Sequence, residues 1–449
     1  MPSLIGIFFF LVAAIFAPAE AAQPIAYVVV GDNGAQVARV LTEDAKCPLI
    51  ALDRVNVRME VRARPATLSG RIGKPSAFPL LTCEKKIPAS TRHAAVDHID
   101  LPLLHGDIQR IVVIGDTGCR LKDGAYQACN DSALYPFAKI AAAAASWKPD
   151  LVIHVGDLIY RESPCPSDHP ECRGSPWGYG WDAWNADFFA PGADLLQSAP
   201  WVLVRGNHES CSRAGQGWWR MIDFRPLRPG RDCNLADDDD VGDYSDPYAV
   251  PLGDDEQLIV MDTSNTLEKP ISQSEIRTRK YRKLYRMVEK LAQHASYNIV
   301  ADHHPILGYF AEQDRQGVVT VKPGNQGMQS VLGTLNPEFF PSSVDVLLSG
   351  HVHAWQQVSF STRHPSQFIA GFSGTKEDSA PLPDSVDVQP APGAMVEHLS
   401  SWAGGFGYMT IERKGPYQWE ARVWDADGNM RNVCNIDGRH SVCDQARIE

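Results

Sequence analysis

Six short runs of apolar residues constrain the fold of this 449-residue chain more than any other feature. They occupy residues 111–114, 151–155, 201–204, 258–261, 298–301 and 344–348, and helical or loop segments separate them. A strand that lacks polar alternation is buried on both faces, which is typical of a parallel sheet covered by helices. The pattern therefore predicts an α/β fold from about residue 106 onward.

Two helices are predicted between these runs. An alanine-rich segment from Asp131 to Trp147 predicts the first. The second is indicated by apolar residues at helical spacing between positions 281 and 291, and its other face is basic. Such a basic face is either solvated or contacts an anionic partner, and the solvated interpretation is favoured.

Residues 22–105 differ from the rest in having short strand signals and many turn residues. Apolar Val55, Val57, Met59 and Val61 alternate with polar residues, the period of a half-buried strand. We therefore predict a signal peptide at residues 1–21, a β-rich N-terminal domain at 22–105 and a main domain at 106–449. The apolar stretch at residues 4–17 lacks a preceding Lys or Arg, so a membrane anchor is the alternative to a cleaved signal peptide. No later segment is apolar enough to span a bilayer.

The ten cysteines lie mostly near one another in the sequence. The neighbours are Cys47 and Cys83, Cys119 and Cys129, Cys165 and Cys172, Cys211 and Cys233, and Cys434 and Cys443. An even number in this arrangement indicates local disulfides, one of which would cross-link the C-terminal tail. The sequence leaves the connectivity open. Disulfides persist in oxidising compartments, so we expect a periplasmic or secreted protein.

The formal charge of −12 argues against a broad electrostatic attraction to nucleic acid or anionic lipid. A phosphate group would instead have to be attracted locally. Bound cations provide such an attraction.

Polar residues follow five of the apolar runs, at the position where α/β proteins bind their ligands. The five segments contain Asp116, Asp157 with Tyr160, Asn207, His303, and His351 with His353. Together they offer two carboxylates, an amide oxygen, three imidazoles and a phenol, a ligand set that suits iron, manganese or zinc. We expect all of them on the same edge of one sheet, with two metal ions between them.

The five segments, in this order, resemble the calcineurin-like metallophosphoesterases and, more narrowly, the purple acid phosphatases. Gly118 stands where the broader superfamily usually has a histidine, and Tyr160 completes the Gly-Asp-x-x-Tyr pattern of the purple enzymes. The resemblance covers residues 108 to about 425, including the Gly-rich segment 404–408, and it leaves out the N-terminal region. It implies a β-sandwich flanked by helices.

The resemblance also implies a role for each residue. Asp116, Asp157, Tyr160 and His353 hold a first ion, Fe3+, and Asp157 bridges to a second ion, Fe2+, Zn2+ or Mn2+, held by Asn207, His303 and His351. His208 binds the phosphate or protonates the leaving oxygen, and His304 is a second candidate for this work. If Tyr160 only packs beneath the site, a Mn/Mn or Zn/Zn pair is the alternative, and His304 is as well explained by a turn before Pro305.

These expectations converge on a hydrolase of phosphate esters. Metal ions lower the pKa of a coordinated water from about 15.7 to about 7 in the case of zinc, so hydroxide becomes available against an anionic ester. We expect a secreted phosphatase that cleaves phosphomonoesters by attack of metal-bound hydroxide. A phosphodiesterase acting on nucleotides or phospholipids is the alternative among enzymes, and a surface binding protein that retains the fold is the alternative outside them.

Overall fold

Two large β-sheets pack face to face, and helices cover their outer surfaces. In the computed structural model, which describes residues 23–122 and 124–447, one sheet has 11 strands and the other has 7. Alternate residues of a single strand show how the layers form. Ile111 and Val113 enter the core between the sheets, whereas Val112 and Ile114 pack with helical residues on the outside. The α/β class and the helix-flanked sandwich are confirmed.

Ten strands precede residue 105. They are β1 (Ile25–Val30), β2 (Gln36–Thr42), β3 (Leu49–Leu52), β4 (Val55–Arg58), β5 (Glu60–Ala63), β6 (Ala66–Leu68), β7 (Ser76–Phe78), β8 (Leu81–Ile87), β9 (Ala94–Val96) and β10 (Ile99–Leu101).

The later strands build most of the two large sheets. They are β11 (Arg110–Ile114), β12 (Leu121–Lys122), β13 (Ala125–Tyr126), β14 (Leu151–His154), β15 (Trp201–Leu203), β16 (Tyr248–Gly253), β17 (Glu256–Val260), β18 (Tyr297–Ala301), β19 (Tyr309–Gln313), β20 (Val319–Pro323), β21 (Val344–Ser349), β22 (Trp355–Phe360), β23 (Ser366–Ala370), β24 (Val396–Trp402), β25 (Gly407–Gly415), β26 (Gln418–Asp425), β27 (Met430–Asp437) and β28 (His440–Cys443).

The larger sheet has the strand order β28-β27-β26-β25-β11-β14-β15-β1-β2-β8-β5, and the smaller has the order β16-β17-β18-β21-β23-β22-β24. Parallel pairing joins β11, β14, β15 and β1 in the first sheet and β17, β18, β21 and β23 in the second. The six predicted apolar runs correspond to β11, β14, β15, β17, β18 and β21.

The helices lie between the strands and on the outer faces. The α-helices are α1 (Phe137–Ser146), α2 (Trp181–Trp184), α3 (Ala193–Ser198), α4 (Gly215–Gly217), α5 (Asp239–Gly242), α6 (Ile276–Leu291) and α7 (Gln326–Leu332). Short 3-10 turns cover Asp32–Gly34, Pro170–Cys172, Asn207–Glu209 and Ala236–Asp238, and π-helical turns cover Asn185–Phe189 and Trp218–Ile222.

The predicted start of the first helix at Asp131 is wrong. The Asp131 carboxylate instead accepts a hydrogen bond from the backbone N–H of Ala133, at 2.8 Å, and forms a turn. Pro136 then disfavours a helical conformation at the residue before it, so α1 begins at Phe137. The second predicted helix is α6, which buries Tyr281, Leu284, Tyr285 and Val288.

Strand pairing joins the N-terminal region to the rest of the fold. Strand β1 lies parallel to β15, and β2, β8 and β5 extend the larger sheet beyond it. A 4-stranded sheet, β10-β9-β3-β4, packs on these strands through a separate apolar cluster that includes Ile50 and Leu101. The division at residues 105 and 106 stays a prediction. The predicted signal peptide lies outside the described residues.

Five disulfides join the neighbouring cysteines: Cys47–Cys83, Cys119–Cys129, Cys165–Cys172, Cys211–Cys233 and Cys434–Cys443. The expectation of local disulfides is confirmed, and the tertiary structure supplies the connectivity that the sequence left open. Within residues 23–122 and 124–447, none of the helices has the length and apolar character needed to cross a membrane.

Candidate metal centre

The five predicted segments meet at one end of the sandwich, but they come from both sheets. Strands β11, β14 and β15 belong to the larger sheet, and β18 and β21 belong to the smaller one. The expectation of one edge of one sheet is therefore wrong. The carboxyl ends of parallel strands in two packed sheets point to the same rim, so their following loops still converge.

Three of the predicted ligand residues have left-handed backbone conformations. Asp116, Asp157 and His351 have φ values of 53°, 59° and 69°. Such conformations are costly for residues other than glycine and cluster at functional sites. Gly206 allows the third loop to approach, because a Cβ atom there would lie 2.1 Å from Asp157 Oδ1.

A first group of ligand atoms surrounds the hydroxyl of Tyr160. This hydroxyl lies 2.8 Å from Asp157 Oδ2, 2.7 Å from His353 Nε2 and 3.5 Å from Asp116 Oδ1. His353 presents Nε2 to the group because its other nitrogen, Nδ1, lies 3.1 Å from the carbonyl oxygen of Lys376. The four side chains predicted for the first ion are thus brought together.

A second group shares Asp157 with the first. His303 Nε2 lies 3.2 Å from Asp157 Oδ2 and 3.0 Å from Asn207 Oδ1, and His351 Nδ1 lies 3.0 Å from the same Asn207 oxygen. His303 Nδ1 donates to the carbonyl oxygen of Val155, at 2.8 Å, which leaves the Nε2 lone pair for a ligand. All seven predicted ligand residues therefore lie in two adjoining groups.

The two predicted catalytic histidines have different surroundings. The ring of His208 stacks on Tyr160 with centroids 3.6 Å apart, and its Nε2 is 3.8 Å from Asp157 Oδ2. Its Nδ1 is 3.0 Å from Glu162, and Arg213 contacts the ring. Burial, with Arg213 adding to it, lowers the pKa of His208 to about 4.

His304 lies behind the second group. Its ring centroid is 4.3 Å from that of His351, its side chain is buried, and its Nδ1 is 3.3 Å from Thr263 Oγ1. Burial holds its pKa well below the ordinary value. His208, and not His304, lines the cavity that opens onto the two groups.

Sequence reasoning missed four carboxylates that hold the ligands. Glu209 accepts hydrogen bonds from four backbone N–H groups, those of Gly206 and residues 157–159. Asp187 accepts from the N–H of Tyr160, at 2.9 Å, and pairs with Arg161. Glu268 lies 3.1 Å from His351 Nε2, and Asp378 lies 3.2 Å from His353 Nδ1.

Only one of these four had a local signal. Glu209 directly follows Asn207 and His208 in the sequence, so its place beside a ligand-bearing segment is visible locally. Asp187, Glu268 and Asp378 lie in segments without any pattern that connects them to the strand ends.

The electrostatics of the site suit cations. Burial raises the pKa of Asp116, and burial with the negative Asp157 raises that of Glu209 to about 8. Burial by itself would lower the pKa of His303, but the carboxylate of Asp157 outweighs it and raises the pKa to about 9. The negative charge of these buried carboxylates favours protonated imidazoles nearby. Bound metal ions would neutralise the same negative charge. The donor set and the tautomers enforced by Val155 and Lys376 therefore fit a pair of metal ions.

A cavity of about 620 Å3 opens onto these groups. Tyr160, Asn207, His208, His351 and His353 form its floor. Lysines, carboxylates and apolar residues of the hairpin β19–β20 form its walls. A phosphate on the floor would leave most of this volume for the rest of a substrate.

Comparisons with known proteins agree with this geometry. A family model described as calcineurin-like phosphoesterase matches residues 109–355. Among solved structures, the chain is similar to the purple acid phosphatase PPD1 from seeds of yellow lupin (Lupinus luteus), with a TM-score of 0.53 and 14% identity over 92% of this chain and 74% of that one. It is also similar to PhoD, with a TM-score of 0.54 and 13% identity over 96% of this chain and 94% of that one. No curated protein sequence matches. At these identities, the two solved structures support the fold alone.

Proposed function

The chain belongs to the calcineurin-like phosphoesterase family, and from this premise we propose that it is a secreted or periplasmic phosphatase that hydrolyses phosphomonoesters. Membership makes it a metal-dependent phosphoric ester hydrolase with a dinuclear site. The preference for monoesters, the metal identities, the ligand assignments and the location are the proposal.

The observation that supports it best is the convergence of seven ligand side chains into two groups that share Asp157. We assign Asp116, Asp157, Tyr160 and His353 to a first ion, Fe3+, and Asp157, Asn207, His303 and His351 to a second, Fe2+, Zn2+ or Mn2+. When bound, such ions lower the pKa of water and stabilise the charge on the transferring phosphoryl group.

The protein's own side chains position the ester and move a proton. Hydrolysis transfers the oxygen of water to phosphorus, breaks the bond from phosphorus to the leaving oxygen and requires a proton on that oxygen. His208 is the proposed donor, because it lines the cavity and its Nε2 lies 3.8 Å from Asp157 Oδ2. Its Nδ1 lies 3.0 Å from Glu162, and Arg213 Nη2 lies 2.7 Å from Nε2, so the leaving oxygen has to take the place of Arg213 at Nε2. Burial, with Arg213 adding to it, lowers the pKa of this ring and so disfavours its charged form. The negative charge of an arriving phosphate favours the imidazolium form, which then has an N–H to donate.

A visible absorption spectrum combined with elemental analysis tests the metal assignment. A phenolate bound to Fe3+ gives a charge-transfer band, which we expect to disappear in Tyr160→Phe. Tyr309→Phe is the matched control, because Tyr309 borders the same cavity but donates its hydroxyl to the carbonyl oxygen of Val388. Active, iron-free, colourless enzyme would reject the iron assignment in favour of a Mn/Mn or Zn/Zn pair.

Two chromogenic substrates test the reaction. We expect faster turnover of 4-nitrophenyl phosphate than of bis(4-nitrophenyl) phosphate, and the reverse order would identify a phosphodiesterase. Fewer than one metal ion per chain and no turnover of either ester would favour a binding protein.

The five disulfides support the proposed location, because disulfides persist in oxidising compartments. Fractionation of cells that produce the full chain tests it. Recovery of the protein in the reducing cytoplasm, with free thiols, would contradict it.

A further inference from the structure

The hairpin formed by β19 and β20 presents a two-part surface to the cavity above the metal centre. Phe310 pairs across the strands with Lys322, and Glu312 pairs with Thr320, so these four side chains share one face. The other face is anchored: Tyr309 and Ala311 are buried, and the Tyr309 hydroxyl donates to the carbonyl oxygen of Val388, at 2.9 Å.

The apolar part of this surface is the ring of Phe310. It packs against a small cluster formed by Val352, Ala354 and Ile369, while part of the ring stays accessible at the cavity wall. Val352 directly follows the ligand His351 in the sequence. The Phe310 ring therefore contacts a residue that neighbours the metal centre. A flat apolar wall at this position favours a planar apolar leaving group over a hydrated, flexible one.

The charged part consists of lysines. Lys322 lies on the hairpin with its Nζ 5.8 Å from the centre of the Phe310 ring, and Lys269 borders the same cavity from the loop before α6. Lys322 has Glu312 as a partner, whereas no described side chain pairs with the ammonium group of Lys269.

Three of the described carboxylates border the cavity, and each has a partner; Glu312 pairs with Lys322. Glu268 contacts His351, and Asp378 pairs with Arg120, at 2.6 Å, and with His353. The ammonium group of Lys269 therefore remains available to a ligand. An available cation at this position is unexpected in a chain with a net charge of −12.

The cavity has room for more than a phosphate group. A volume of about 620 Å3 lies within the range of about 300–1,000 Å3 that is usual for sites that bind small molecules. A phosphate occupies a small fraction of this space, so the remainder accommodates a ring and a group beyond it.

From this arrangement we infer that the preferred substrates are aryl phosphomonoesters whose leaving group carries a second anionic group, with Phe310 against the ring and Lys269 facing the distal charge. This inference rests on the proposed phosphatase activity and specifies its substrate class.

Two matched substrates test it: 4-carboxyphenyl phosphate and its neutral analogue 4-carbamoylphenyl phosphate. The measured quantity is the ratio of their kcat/KM values. The two phenols differ in acidity, but this difference is the same for every variant and cancels when ratios are compared. In Lys269→Gln, we expect the ratio to fall about threefold relative to the unmodified protein, while kcat/KM for the neutral ester stays within about twofold. Lys322 is kept, because its replacement would leave Glu312 unpaired beside the substrate.

Lys414→Gln is the control, because Lys414 is a cation on β25 that pairs with Glu412 and Glu420 and does not border the cavity. It should leave the ratio unchanged. A ratio in Lys269→Gln equal to that of the control would overturn the inference.

Phe310→Leu tests the ring separately, since leucine keeps the packing on Val352 while removing the flat face. We expect kcat/KM for both aryl esters to fall several-fold relative to that for glycerol 2-phosphate, with an unchanged melting temperature. An equal loss for the alkyl ester would contradict the role of the ring. Failure of the phosphatase proposal looks different, because the unmodified protein would then hydrolyse none of the three esters.

Discussion

Replacing Glu209 by glutamine keeps the shape of a buried side chain but halves its capacity to accept hydrogen bonds. One carboxylate oxygen accepts from the N–H groups of Leu158 and Ile159, at 2.8 and 3.3 Å. The other accepts from those of Asp157 and Gly206, both at 3.0 Å. The amide nitrogen of glutamine cannot accept, so two backbone donors next to the metal ligands would lose their partner.

The structure sets the size of the effect. A buried donor without a partner costs about 1–3 kcal/mol, so two of them predict a loss of roughly 2–6 kcal/mol in the free energy of unfolding. The loops that carry Asp157 and Asn207 would lose these hydrogen bonds to Glu209. We therefore also expect weaker metal binding.

Urea unfolding followed by circular dichroism measures the first effect, and elemental analysis after dialysis measures the second. Glu289→Gln is the matched control, because Glu289 is exposed on α6 and its replacement should change stability by no more than about 0.5 kcal/mol. The comparison should be made with and without chelator, since bound metal itself stabilises the fold. If Glu209→Gln and Glu289→Gln unfold at the same urea concentration in chelator, the hydrogen-bond argument is wrong.

Three further predictions address the same site. Asp157→Asn and His208→Ala should each lower turnover of 4-nitrophenyl phosphate at least about a hundredfold, and near-normal rates in both would end the mechanistic proposal. Gly118→Ala should lose metal and melt earlier, because the added Cβ would lie 2.6 Å from the backbone nitrogen of Tyr160. Gly415→Ala, whose Cβ would meet only the Gln418 side chain, should not, and equal behaviour of the two would count against the steric argument. Glu162 should stabilise the fold in a pH-dependent way: burial would raise its pKa, but His208 and Arg213 lower it to about 2. A depressed carboxyl pKa contributes stability above the unfolded value and loses it as the pH falls, so about 3 kcal/mol should disappear between about pH 4.5 and 2. Glu162→Gln should show a correspondingly smaller acid dependence by thermal melting, and an identical pH profile would refute this.

The strands that carry the site could be predicted because the residues of each strand themselves indicate that it is buried. The apolar runs at 111–114 and 201–204 match β11 and β15 within one residue, since a strand covered on both faces favours apolar side chains at every position. The polar residues after these runs were visible for the same reason. A carboxylate or imidazole stands out directly after a fully apolar strand.

Pairings between distant segments were not visible in this way. Periodicity does not say which strand becomes the neighbour of which. The sequence therefore did not reveal that β15 and β18 belong to different sheets, or that β1 lies beside β15. Whether the ligand side chains meet depends on how the two sheets pack, which is a property of the whole core.

By itself, the sequence determined the α/β class, the strand ends that bear ligand side chains and the local grouping of the cysteines, because each depends on residues close together in the chain. Only the tertiary structure decided that two sheets contribute to one metal centre, and that Glu209, Asp187 and Glu268 support it. The partners of Asp187 and Glu268 lie tens of residues away, and a buried carboxylate acquires its role only from the donors that folding brings to it.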